Sequence, residues 1–523
     1  MKDINSMSLE EKILQTKVAL MQRGEKFNEK VGAAFFFGQI ITEADDAGLD
    51  ELRGYVKDAV ENSDIPPLIT SDFENGCGSM VQGLTPLPYL MGLGAANDEG
   101  LAYDYGRATA LEARTVGANW SFSPVSDLNI NRRNPLVNVR SIGDNADLAC
   151  RLLKQVVSGM QDGGIAACAK HFPGDGMDYR DQHIVTTQNS LSVEEWKEKS
   201  GRVFKELIDS GVDSIMAGHI SFPSYQSERD AESGLPYPAT LSYELITKLL
   251  KNEMGFKGVV VTDALGMGGI QGFYDTKERT EIEAFKAGCD MVLWPTESYV
   301  ENMKKAIESG YISIERLNDA VQRIMNLKEK LGLFDKNRKV FYELTDEEKS
   351  FVRKTQKAVS KKSITLIKNK KGLLPADPKS VKKVLLVPVT DYKPVFSVAE
   401  HLRGEIEKRG VKVFYMPEVD SQKFDAYANE ADLIIFAMFS RPFRPIGFLD
   451  YYEDAAQLLT MAASVGREKT VGVSFGSPYF CNQYFEKTGT FVNAYSMLDC
   501  SAEAFAEAMF GEEDFGCFSP VEL

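Results

Sequence analysis

A short apolar run that ends in polar residues and is followed by a helical-looking stretch recurs from about residue 33 to residue 335. The runs are AAFFFGQ (33–39), PLITSDFE (67–74), WSFSPVSD (120–127), AACAKHFPGD (166–175), DSIMAGHI (213–220), GVVVTDAL (258–265) and DMVLWPTE (290–297). Amphipathic segments such as ADLACRLLKQVVSGMQDG and VEEWKEKSGRVFKELIDSG lie between them. Strands that alternate with helices pair in parallel. The run ends carry Asp72, Asp127, Lys170, His171, His219 and Asp263. In a (β/α)8 barrel such ends converge on one face, whereas an open doubly wound sheet gathers ligands at a switch point behind a glycine-rich loop. No such loop follows residues 33–39, and the pattern favours the barrel.

The alternation stops at LGLFDKNRKVFYELTDEEK (331–349), a charged connector. New strand candidates follow at 383–389, 411–417, 432–439, 470–477 and 490–496, after SITLIKNKKGLLP (363–375). The expected organisation is an α/β chain with a barrel domain over 1–335, a linker and connecting helix over 336–362, and a smaller α/β sandwich domain over 363–523. A length of 523 residues suits two domains rather than one core.

Composition narrows the partners. A net charge of -16 repels phosphate backbones and anionic membranes, so nucleic acid and membrane are not expected partners. The opening MKDINSMSLEEKILQ is polar where a secretory signal is apolar, and no run of about 18 apolar residues exists to span a bilayer. A cytoplasmic location is expected. The seven cysteines (77, 150, 168, 289, 481, 500, 517) include no Cys-x-x-Cys pair, which argues against a disulfide framework and a thiolate zinc site.

Two of the four histidines, His171 and His183, fall within KHFPGDGMDYRDQHIVTT beside Asp175, Asp178 and Asp181. Asp181 and His183 are two apart, a spacing at which a carboxylate can bond one imidazole nitrogen and leave the other facing substrate as a general acid/base. A metal site built from Asp181, His183, His171 and His219 is the competing reading, although no familiar ligand motif is present. Asp263 follows four β-branched residues, three of them an unbroken valine run, at a strand end. It is either a carboxylate poised in an apolar wall, as glycoside chemistry requires, or a cap on the next helix. Lys170, Arg140 and Asp72 are candidate donors and acceptors for sugar hydroxyls.

Together these segments resemble glycoside hydrolase family 3, in its β-N-acetylglucosaminidase branch. LITSDFENG is similar to the family's Asp-x-Glu-Gly-Gly stretch, NWSFSPVSDLN to its Ala-Pro-Val-x-Asp segment and VRSIGDN to Arg-Ser-Phe-Gly. AKHFPGDG followed by Asp181-Gln-His183, IMAGHI, PATLS with GVVVTDALGM, and VSFGSPYF complete the resemblance. It implies Asp263 as nucleophile, His183 as acid/base and Asp181 as its dyad partner. Asp72, Arg140, Lys170 and His171 then bind the terminal sugar, and His219 and Met267 support the site from behind. The implied activity is retaining, exo-acting hydrolysis of terminal β-linked N-acetylhexosamine, with no cofactor and no metal. Phosphorolysis of the same bond, or another sugar specificity, is the alternative. Asp175 departs from the family pattern, which places a second histidine there.

Overall fold

A computed structural model describes residues 3–27, 29–38, 46–440, 442, 445, 447–464 and 468–523; the side chains of Asp46 and Ala463 lie outside that description. The first ten strands are β1 Lys17–Leu20, β2 Ala33–Phe35, β3 Leu68–Ser71, β4 Trp120–Ser121, β5 Cys168–Phe172, β6 Thr187–Gln188, β7 Ser214–Ala217, β8 Ile220–Ser221, β9 Val259–Thr262 and β10 Val292–Leu293. Two parallel sheets, β10-β1-β2-β3-β4 and β5-β7-β9, are joined by bridges from Trp120 to Ala166 and from Val261 to Met291. The result is a closed parallel barrel of eight strands among the described residues, with the β6-β8 pair standing outside it.

The barrel starts earlier than residue 33. β1, the four residues KVAL, pairs with both β2 and β10 and closes the ring. It follows the helix Leu9–Gln15, whose Ser8 and Glu11 form a reciprocal cap. A lysine and three apolar residues behind a polar helix are too brief a run to read as a strand in isolation, and pairing on both edges supplies the missing hydrogen bonds. The run at 33–39 gives β2, with Gln39 outside the described residues.

Side chains alternate across each strand. Ala33, Phe35, Leu68, Trp120, Cys168, Val259 and Val261 fill the barrel interior, while Ala34, Ile69, Ala169 and Val260 face the surrounding helices. Each large aliphatic side chain buried this way contributes roughly 1.5–3 kcal/mol. Continuing the inward parity to the strand ends reaches Asp72 and Glu74 after Leu68, Lys170 after Cys168, and Asp263 after Val261. The alternation that packs the core thus aims these side chains into the mouth.

The helix Asp346–Ser363 leads into a second sheet and packs on the helices Leu90–Ala96, Glu99–Thr115 and Asp499–Met509. The second sheet comprises β11 Thr365–Asn369, β12 Lys383–Val389, β13 Lys412–Tyr415, β14 Leu433–Met438, β15 Thr470–Ser474 and β16 Thr490–Asn493, in the order β11-β16-β15-β14-β12-β13. Only β11 runs antiparallel to its neighbour. Val384, Leu386, Ile435 and Val473 face the helices Phe396–Glu407 and Asp499–Met509; Leu385, Val387, Ile434 and Phe436 face Ser421–Glu430 and Glu453–Ser464. Helices on both faces explain why these strands read as continuous apolar runs. No helix among the described residues is long and apolar enough to cross a membrane.

Candidate active site

At the C-terminal mouth of the barrel lies a cavity of about 320 Å3. Asp72, Arg140, Lys170, His171, His183, Asp263 and Met267, all singled out from the sequence, line it together with Glu74. Met267, expected behind the site, reaches the pocket wall itself. Phe37, Phe122, Met216 and Trp294 add an apolar side, against which the apolar face of a pyranose ring can lie.

One wall is an alternating charge cluster. Lys170 Nζ stands 2.8 Å from Asp72 and 2.7 Å from Glu74. Arg140 donates from Nε and Nη2 to the two oxygens of Glu74, each at 2.8 Å. Burial pushes the Glu74 carboxyl toward protonation, yet the facing Arg140 and Lys170 cations more than offset this and hold it well below the usual carboxylate range. Lys170 is raised in turn: burial opposes its charge, and Asp72 and Glu74 outweigh burial. Glu74 is the residue that sequence reasoning passed over. Its inward parity after Leu68 and Asp72 was the available signal.

Two imidazoles are each fixed by a buried aspartate. His183 Nδ1 lies 2.8 Å from Asp181 Oδ1, which also accepts the His183 backbone N–H at 2.8 Å. His171 Nδ1 lies 2.7 Å from Asp127 Oδ2, while Asp127 Oδ1 accepts the backbone N–H of His171 and Asp175. A carboxylate only accepts, so both rings carry their proton on Nδ1 and direct Nε2 away from it. A register shift in β5 between Ala169 and Phe172 turns the neighbouring Lys170 and His171 both toward the pocket. In the sequence Asp127 stands out only as a strand-end residue. No local spacing links it to His171.

Asp263 follows directly on β9. Its Oδ1 accepts the Ala264 N–H at 2.7 Å, and its Oδ2 lies 3.9 Å from His171 Nε2. Burial disfavours its charge, but the imidazoles of His171, His219 and His183 and the Ala264 N–H together keep its pKa below the ordinary aspartate value. The carboxylate is therefore ionised, with Oδ1 anchored by the Ala264 N–H and Oδ2 on the His171 side.

His219 does not line the pocket. Its Nε2 donates to the Ala264 carbonyl at 3.0 Å, and its Nδ1 lies 2.9 Å from Thr240 Oγ1. Burial lowers its pKa, outweighing the neighbouring Asp263 charge, which raises it. Its backbone N–H donates to Gln182 Oε1, so one residue ties the Asp263 turn to the loop that carries Asp181 and His183. That loop docks on Gly268 and Gly269, whose N–H groups donate to the His183 and Gln182 carbonyls at 2.8 and 3.1 Å. A Cβ at either glycine would meet loop carbonyl oxygens at 2.2–2.4 Å. With its ring committed to Thr240 and Ala264, His219 does not join Asp181, His183 and His171 as a ligand. Among the described residues no group of three or more His, Cys, Asp or Glu is placed to hold a metal.

Asp175 is buried beside Asp127. Its Oδ1 accepts the Gly176 N–H at 2.7 Å and Asn134 Nδ2 at 3.3 Å, and Oδ2 has no partner. Burial first, then the adjacent Asp127 charge, push it up to about 8. The second domain contributes no side chain to the pocket lining among the described residues, but VSFGSPYF docks against its wall. Tyr479 Oη and Asn129 Nδ2 lie 2.7 Å apart, and Asn138 Nδ2 lies 3.3 Å from Ser477 Oγ. The aromatic- and arginine-rich segment 440–452 is described only in part; Arg441, Phe443, Arg444 and Ile446 lie outside the described residues.

Comparison with known proteins places this geometry in context. Residues 8–327 match the family described as "Glycosyl hydrolase family 3 N terminal domain". A β-N-acetylglucosaminidase/β-glucosidase of Cellulomonas fimi is 30% identical over 485 residues, covering 88% of this chain and 84% of the relative. Among solved structures, a glycoside hydrolase family 3 β-N-acetylglucosaminidase from Paenibacillus sp. str. FPU-7 superposes with a TM-score of 0.84 at 28% identity, covering 99% of both chains. A β-glucoside phosphorylase superposes with a TM-score of 0.87, also at 28% identity, covering 99% of this chain and 95% of its own.

Proposed function

Because the chain belongs to glycoside hydrolase family 3, we propose that it is a retaining, exo-acting β-N-acetylhexosaminidase that releases terminal β-linked N-acetylglucosamine through a covalent glycosyl-enzyme. The observation that carries this reading is the pairing, in one pocket, of an ionised Asp263 with a His183 whose Nδ1 is held by Asp181. The other carboxylates of the pocket, Asp72 and Glu74, are committed to Lys170 and Arg140. The proton donor is therefore an imidazole.

In the first step Asp263 Oδ2 attacks the anomeric carbon as the bond to the leaving oxygen breaks, and imidazolium His183 gives that oxygen its Nε2 proton. In the second, neutral His183 takes a proton from water as the water oxygen displaces Asp263. Two inversions give retention. Asp181 stabilises the imidazolium in both steps, and Asp72, Lys170, Arg140 and His171 hold the terminal sugar. A reducing, cytoplasmic compartment belongs to this reading, supported by seven unpaired thiols.

The test is an aryl glycoside panel. Aryl β-N-acetylglucosaminide should be cleaved in preference to aryl β-glucoside, and Asp263→Ala should abolish turnover; most of the activity surviving that change would remove the nucleophile assignment. Phosphorolysis is the second reading, favoured by the likeness to a β-glucoside phosphorylase and by an imidazole acid/base, which places no negative charge beside an anionic acceptor. Sugar 1-phosphate formed on adding phosphate would select it.

A further inference from the structure

A second cavity, of about 770 Å3, opens between the two domains. It shares a wall with the sugar pocket: Asn134 and Asn138 line the groove, whereas Leu136 and Arg140, from the same segment, line the pocket. Tyr179 lines the groove from the loop that carries Asp181 and His183, and Phe448 lines it from the second domain. Both rings are open to solvent, with exposures of 54% and 61%. With His183 as the proton donor proposed above, the leaving group departs on the side of the loop that carries both His183 and Tyr179.

Arg132 and Arg133 also line this groove and are exposed. Among the described residues neither guanidinium has a hydrogen bond or ion pair. On a chain of net charge -16, two adjacent uncommitted cations beside a binding site stand out. The carboxylate across the groove, Asp450, is occupied by the Tyr484 hydroxyl and the Tyr451 N–H. Arg132 also borders a cleft with Asp144 and Glu522, without an ion pair to either.

We propose that this groove receives the leaving group of the glycoside, and that Arg132 and Arg133 select a leaving group bearing an anion, a carboxylate or a phosphate monoester set back from the scissile bond. The proposal rests on the hydrolase reading above. Guanidinium recognises either anion through paired N–H donors, and the two aromatic rings give the intervening sugar or aryl unit a surface to lie on.

Three β-N-acetylglucosaminides test it: those of 3-(4-hydroxyphenyl)propanoate, of its amide, and of the phosphate ester of 3-(4-hydroxyphenyl)propanol. The methylene spacer keeps the phenols alike as leaving groups, so the kcat/KM ratio of an anionic to the neutral glycoside reports recognition alone. At low salt the ratio should rise by up to about fivefold for each arginine engaged, and fall toward one above about 0.5 M salt. Which anionic glycoside shows the larger ratio identifies the anion. The double variant Arg132→Glu/Arg133→Glu should invert the ratio, and the salt dependence of the wild type serves if that variant does not fold. A wild-type ratio of one at low salt, or a ratio the double variant leaves unchanged, overturns the proposal while the hydrolase reading stands. If none of the three is cleaved, the hydrolase reading fails and the proposal with it.

Discussion

Asp181→Asn isolates the charge of the acid/base dyad. Asparagine can place its carbonyl oxygen where Oδ1 stands, 2.8 Å from both the His183 N–H and Nδ1, so the change removes charge while keeping both hydrogen bonds. A lower bound on the loss is the difference between a charged and a neutral hydrogen bond, about 1 kcal/mol. An upper bound is the attraction of carboxylate and imidazolium with charge centres about 4 Å apart at an effective dielectric of 20, about 4 kcal/mol. The His183 side chain is 33% exposed and that of Asp181 is fully buried, so water screens part of the upper figure and about 2 kcal/mol is the central value. That is roughly a thirtyfold loss at about 1.4 kcal/mol per tenfold. The loss falls on protonation of the leaving oxygen, so it should appear in kcat/KM for alkyl and saccharide leaving groups. For nitrophenols, which leave without help, it should shrink to about threefold or less. The assay is kcat/KM across leaving groups of graded acidity, which reports the first chemical step. A uniform fall, independent of leaving-group acidity, would refute the acid/base role of the dyad.

Three further perturbations address the walls of the site and the core. Glu74→Gln leaves Lys170 with Asp72 and Arg140 with the Leu136 carbonyl as remaining partners, and breaking such a buried cluster costs about 3 kcal/mol; thermal melts should show the loss and kinetics a raised KM. Asp175 keeps its proton to about pH 8 when folded but loses it near 4 when unfolded, so the folded state binds more protons between those values and loses stability as pH rises through the window, by up to about 1.4 kcal/mol per unit. Asp175→Asn should remove this slope, gaining on the wild type from pH 5 to pH 8 in denaturant titrations. Lys328 is buried against Gln15 and burial pushes it down to about 7, so the wild type loses stability as pH falls from about 10 toward 7; the advantage of Lys328→Met in the same titrations should be larger at pH 7 than at pH 10.

What the sequence determined by itself was whatever short spacing and strand parity encode. The 3.4 Å rise and two-residue period of a strand aim Asp72, Lys170 and Asp263 inward once Leu68, Cys168 and Val261 are core residues. The Asp181–His183 dyad needs only two residues of separation. Tertiary structure decided the rest, because the partners are brought together by folding and not by proximity in the chain. Asp127 reaches His171 across 44 residues since β4 and β5 lie side by side at the seam of the barrel. Glu74 clamps Arg140 from 66 residues away. β1 becomes a strand because β2 and β10 offer edges on both sides, a stabilisation no four-residue run carries within itself. The groove holding Arg132, Arg133 and Phe448 exists only where the two domains meet. Asp175 shows the same division: its side chain is an ordinary loop carboxylate in the sequence, and burial beside Asp127 makes it a neutral acid.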